Sequence, residues 1–101
     1  MELKVGGIYS NSDHYNIIIE EDKLHYYLYH VFKNDLTHDG VINQINKGLQ
    51  NKEYQISFVD KSSTYYTALD GYLGKIEEHQ LNKLKYILRQ KSWWKQKHVE
   101  R

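Results

Sequence analysis

Apolar and polar positions alternate with a period of two up to about Asn34, and a helical period then interrupts the pattern twice. Leu3-Lys4-Val5-Gly6-Gly7-Ile8-Tyr9 predicts a short first strand, its glycine pair marking a bulge or bend. Ser10-Asn11-Ser12-Asp13 is a turn, because Asn, Asp and Ser side chains bond their own backbone. His14-Tyr15-Asn16-Ile17-Ile18-Ile19-Glu20 is β-prone and predicts a second strand. Beyond a turn at Glu21-Asp22-Lys23, residues Leu24 to Phe32 predict a long third strand. On it Leu24, Tyr26, Leu28, His30 and Phe32 share one face, and His25, Tyr27, Tyr29 and Val31 the other. Neither face is polar, so cover is expected on both.

Val41, Ile42, Ile45 and Leu49 then form one helical stripe, with Thr37 or Asp39 as N-cap and Gly48 near the C-terminal end. Alternation returns at Tyr54-Gln55-Ile56-Ser57-Phe58-Val59, predicting a fourth strand. Asp60-Lys61-Ser62-Ser63 reads as a hairpin loop and Thr64 to Leu69 as a fifth strand, ended by Asp70-Gly71. From Leu73 the stripe Leu73, Ile76, Leu81, Leu84, Ile87, Leu88 predicts a last helix. Glu77 and Glu78 in its first turn, with Lys83, Lys85, Arg89 and Lys91 later, complement the helix dipole.

The order β-β-β-α-β-β-α predicts an α+β fold. We expect a small curved antiparallel sheet forming an SH3-like, partly open barrel closed by the C-terminal helix, with an open α+β sheet as the alternative. A length of 101 residues suits one domain with one modest core. Residues 1–92 are expected to form that domain, and 93–101 a basic, Trp-containing end that is partly frayed.

Composition changes this picture in a few respects. Ten tyrosines carry much of the apolar content, so the core should be rimmed by phenols that need hydrogen-bond partners. The absence of cysteine excludes disulfides, thiolate metal sites, Fe–S clusters and a Cys nucleophile. No apolar run reaches the roughly eighteen residues of a membrane span, and the N-terminus shows no signal-peptide pattern, so a cytoplasmic protein without a membrane partner is expected. Proline is absent, Lys far outnumbers Arg, and Asn, Ile and Tyr abound, as AT-rich codons would supply. That composition, with the small size, resembles the proteins that phages and mobile elements of low-GC Gram-positive bacteria encode to bind host machinery. Anti-CRISPR and other host-takeover proteins belong to that group. The resemblance is compositional, and no functional residue is carried over by it.

No catalytic pattern emerges along the chain. The six histidines lack metal-ligand spacing, and His25 and His30 fall on opposite strand faces. Ser62-Ser63-Thr64 lacks a nucleophile-elbow context, and the Glu20-Glu21-Asp22 and Glu77-Glu78 clusters sit at a turn and a helix start. The expectation is a chain that is not an enzyme, with no catalytic residues, no metal and no cofactor.

The charge distribution is uneven. Residues 1–82 carry −5 and residues 83–101 carry +6, within a total of +1. Both tryptophans, Trp93 and Trp94, lie in the basic end with Arg89, Lys91, Lys95 and Lys97. The end can neutralise phosphates with a Trp stacking on a base, fill pockets on a partner protein, or continue the last helix back onto the core. Helical spacing puts Trp94 near the core side and Trp93 about 100° away and more exposed. Tyr27, Tyr29 and Tyr65 join the candidate partner-binding residues, because strand tyrosines can build an aromatic surface. The leading expectation is a protein-binding module that inhibits or modulates a host protein. Nucleic-acid binding through the basic end is the alternative, and a homo-oligomer docking basic end on acidic body is a third.

Overall fold

The computed structural model of the protein describes residues 3–11, 13–32, 36–62 and 71–97. Among them the strands are β1 (Gly7–Ser10), β2 (Tyr15–Glu21), β3 (His25–Val31), β4 (Ile56–Asp60) and β5 (Gly71–Lys75). The helices are α1 (His38–Asn51), α2 (Glu78–Arg89) and α3 (Ser92–Lys97). Every strand pair is antiparallel, and the sheet order is β4-β3-β2-β1-β5. The architecture is therefore α+β. Among the described residues β4 and β5 are opposite edges, and the expected barrel closure is not formed. The expected strand at 64–69, and with it Tyr65, lies outside the described residues.

The first turns form as their side chains dictate. Asn11 Oδ1 accepts from the backbone N–H of Asp13 and His14, and Asp22 Oδ1 accepts from Leu24 and His25. These bonds join β1, β2 and β3 into the expected meander. Thr37 caps α1, its Oγ1 accepting from Gly40 N–H at 3.1 Å. The Tyr15 hydroxyl anchors the approach to α1 by donating to the Leu36 carbonyl and accepting from its N–H. Among the described residues no helix is long and apolar enough to cross a membrane.

The sheet is covered on both faces, as the two apolar sides of the third strand imply. One face carries Ile17, Ile19, Tyr27, Tyr29 and Val31 against Val41, Ile42 and Ile45 of α1 and Leu84 and Leu88 of α2. The other carries Tyr9, Ile18, Tyr26 and Leu28 beneath Leu3 and Val5 of the N-terminal segment. That segment also satisfies buried phenols: Lys4 N–H donates to the Tyr9 hydroxyl, and Leu3 N–H to that of Tyr26. A bulge between Ile18 and Glu20 adjusts the register of β2 on β3. Gly6, at φ 89°, bends the chain between the two layers, its N–H on the Ile18 carbonyl and its carbonyl on Ile76 N–H.

Leu73 corrects the sequence reading. It lies in β5, paired to β1, and the helix begins only at Glu78. Gly74 adopts φ 129°, and a Cβ there would meet the His38 ring at 2.9 Å, so the strand is built around glycine. Leu73 and Ile76 match a helical stripe by coincidence. Glu77, whose N–H donates to Gln80 Oε1, marks the true start of α2. The helix ends at Arg89, one residue past the Leu88 that closes its stripe. Gln90 N–H turns back to the Ile87 carbonyl and Lys91 N–H to that of Leu88, and α3 follows as a separate short helix.

Candidate protein-binding surface at the β4 edge

Tyr27 organises the region where the C-terminal helices meet the sheet. The β3–β4 register sets it opposite Phe58, and it is fully buried on the helix side. Its hydroxyl donates to Asp22 Oδ2 at 2.6 Å. Burial first, and then the adjacent carboxylate, push the phenol well above its ordinary range. Burial alone would raise the Asp22 carboxyl, but bonds from Tyr27, Leu24 N–H, His25 N–H and the His25 ring outweigh it. They hold that carboxyl well below the usual carboxylate range. Asp22 is thus an ionised anchor that ties the β2–β3 turn to the core aromatic beside it.

The chain reversal at Gln90 and Lys91 lays both tryptophans on this anchor. Trp93 stacks on Tyr27 with ring planes 10° apart and centroids 6.2 Å apart, and it meets Phe58 at 5.1 Å. Trp94 meets Tyr27 edge-on at 4.7 Å. Both indoles are half-buried, so the expected division into one core and one exposed tryptophan is replaced by two packed ones.

Around these rings the opposite charges of the chain are brought together. Arg89 pairs with Glu20 at 3.1 Å. The His25 ring lies between Asp22 at 3.3 Å and Asp60 at 2.8 Å, with Lys97 Nζ 3.3 Å from its Nε2. Lys97 also sits 5.0 Å from the centre of the Phe58 ring. The basic end therefore folds against the acidic β2–β3 turn of its own chain.

What remains at the surface is an apolar rim. Leu24 is 64% and Phe58 45% exposed, and the His25 ring lies 5.5 Å from that of Phe58. A shallow cavity of about 450 Å³ opens at Leu24, lined also by Lys23, His25, Asp60, Lys61 and Ser62. Phe58, Trp93 and Lys97 form one patch on a supported base, and Leu24 stands exposed at the neighbouring β2–β3 turn.

No family model, curated protein or solved structure matches the chain. The site is therefore read from its own geometry.

Of the sequence candidates, the fold gathers Trp93, Trp94, Lys97, Arg89 and Tyr27 at this edge. Lys91 is half-buried and Lys95 exposed on the adjoining helix. Tyr27 and Tyr29 require correction as surface groups. Both are buried in the core, at 0% and 3% exposure, because their strand face lies beneath the helices. Leu24, His25 and Phe58 escaped the sequence reading. Phe58 shares its strand face with Ile56, which packs on the core, and nothing in the alternation tells the two positions apart.

A second polar feature lies on the opposite sheet face. The His30 ring N–H at Nδ1 donates to Asn16 Oδ1 at 2.9 Å, and Nε2 accepts from the Ser57 hydroxyl at 2.7 Å. Burial, and then the His14 ring, push His30 down to about 4, so it is neutral at physiological pH. It acts as a structural cross-strand link.

Proposed function

We propose that the protein is a small non-enzymatic protein-binding module, encoded by a phage or mobile element. In this reading it inhibits or modulates a host protein in the manner of anti-CRISPR and other host-takeover proteins. Its contact surface is the β4-edge patch. The supporting observation is the exposure of Phe58 beside Trp93 and Lys97, over a base fixed by Tyr27 and Asp22, with Leu24 exposed at the adjoining turn. Large apolar side chains held on a rigid base lose little entropy on binding, which suits them to anchor a partner.

The same surroundings disfavour the nucleic-acid alternative. Arg89 already faces Glu20, and Lys97 sits beside His25, itself paired with Asp22 and Asp60. Phosphates approaching these cations would meet carboxylates, which opposes the counterion-release term that drives such binding.

The test compares immobilised wild-type protein with the Leu24→Ala/Phe58→Ala variant in lysate of a low-GC Gram-positive bacterium, with circular dichroism confirming that both are folded. A protein retained stoichiometrically by the wild type and lost by the variant supports the reading. Equal retention by both, or none by either, refutes it. A low-salt gel shift that Trp93→Ala abolishes would favour the nucleic-acid alternative instead.

A further inference from the structure

A separate groove runs between α1 and α2 on the outer side of the helical layer. Asn46, Leu49 and Gln50 of α1 form one wall and Asn82, Lys83, Tyr86 and Ile87 of α2 the other, with Tyr54 at one end; the volume is about 710 Å³. The helices are joined by Gln80, whose Nε2 donates to the Ile42 carbonyl at 3.0 Å and to Asn46 Oδ1 at 2.9 Å. Leu49, Tyr54 and Ile87 are half-buried and pave the floor, while Tyr86 stands 67% exposed at the rim.

We propose that this groove docks an acidic amphipathic helix of a partner protein, which presents two apolar side chains one turn apart and a carboxylate to Lys83. The dimensions set the first part. The wall from Asn82 to Ile87 spans about 8 Å at about 1.5 Å per residue, which accommodates one and a half helical turns and hence anchors at i and i+4. The charge sets the second part. Lys83 is the charged residue among those lining the groove, and the rest of the rim is neutral amide and phenol. A carboxylate is therefore attracted, and a basic helix is repelled.

A second copy of this chain is the weaker occupant. A twofold contact through the groove sets the same surface against itself, and that lining offers Lys83 no carboxylate from the other copy. This docking surface is independent of the β4-edge patch.

The experiment uses a fluorescein-labelled, end-blocked 14-residue peptide with Leu at i, i+3, i+4 and i+7 and Glu at the flanking positions. Its counterpart carries Lys for every Glu. Fluorescence polarisation against the full chain should show saturable, salt-sensitive binding of the acidic peptide only. Tyr86→Ala and Lys83→Glu should each weaken it about tenfold or more, with unchanged urea midpoints. Leu24→Ala/Phe58→Ala should leave it unchanged, so failure of the patch and failure of the groove are separately visible. The proposal is overturned if neither peptide binds, if both bind alike, or if the groove variants have no effect. Binding of 8-anilinonaphthalene-1-sulfonate abolished by Tyr86→Ala, without peptide binding, overturns it in favour of a small-molecule site. Light scattering that shows a dimer dissociated by Tyr86→Ala overturns it in favour of a second copy.

Discussion

Trp93 lies parallel to Tyr27, 10° between planes, while Trp94 meets the same phenol edge-on. One buried ring thus holds both indoles, and the two substitutions should resemble each other in stability. Trp93→Ala and Trp94→Ala should each cost about 1–2 kcal/mol in urea unfolding, below the full core value because both side chains are half-buried. They should part in binding, since Trp93 also meets Phe58 at the exposed rim. Trp93→Ala should weaken partner capture more than Trp94→Ala does. A stability difference above about 2 kcal/mol between them would show that they do not share one support.

Tyr27→Phe isolates the bond to Asp22. The variant keeps the ring that the tryptophans stack on and removes the hydroxyl that donates to Asp22 Oδ2. A loss of about 1–3 kcal/mol at neutral pH is expected, as for a hydrogen bond to a charged acceptor in a partly buried site. The folded Asp22 carboxyl is held below its ordinary 3.8, so its stabilising contribution is present above that value and is lost as pH falls through the folded pKa. Removing the donor narrows that window, and acid unfolding of Tyr27→Phe should begin at a higher pH than in the wild type.

His30 has the same direction of dependence in a higher window. Its folded value near 4 lies below the ordinary 6.5, so between these limits the unfolded chain binds more protons than the folded one. Stability is full above about pH 6.5 and declines as pH falls towards 4, by up to about 3 kcal/mol, and the loss then levels off. Urea midpoints measured from pH 8 to 4 should follow that decline in the wild type. In His30→Asn the slope should flatten, whatever the variant's absolute stability.

The parts of this fold legible in the sequence are those built from local bonds. The Asn11 and Asp22 turns and the Thr37 cap form within three residues of the side chains that make them. The fate of Leu73 depends instead on pairing with β1, some sixty residues earlier in the chain, and on a left-handed Gly74 beside His38. A short apolar spacing cannot report either one. The site divides in the same way. The Trp pair and the bipolar charge were visible, but Tyr27 and Phe58 become neighbours of Trp93 only through the β3–β4 register and the reversal at Gln90. The acidic Glu20-Glu21-Asp22 turn and the basic end lie far apart in sequence, and the Arg89–Glu20 pair brings them together.

Gln80 provides the sharpest electrostatic test of the helical layer. It is fully buried, its amide donates to the Ile42 carbonyl and to Asn46 Oδ1, and its carbonyl oxygen accepts from Glu77 N–H. Gln80→Leu fills the space but leaves these groups unmatched, and should cost about 2–3 kcal/mol. Gln80→Glu keeps the shape and the bond from Glu77, yet sets an ionised carboxylate against two oxygen acceptors in a buried place. At pH 7 it should therefore be the less stable of the two. Protonation supplies a donor O–H towards those acceptors and removes the charge, so the folded-state pKa of the introduced carboxyl is raised. Its penalty should shrink as pH falls below that raised value. Urea unfolding of both variants at pH 7 and pH 5 should accordingly narrow or reverse their order at the lower pH. A fixed difference between them would mean that the Gln80 amide does not face the two oxygens.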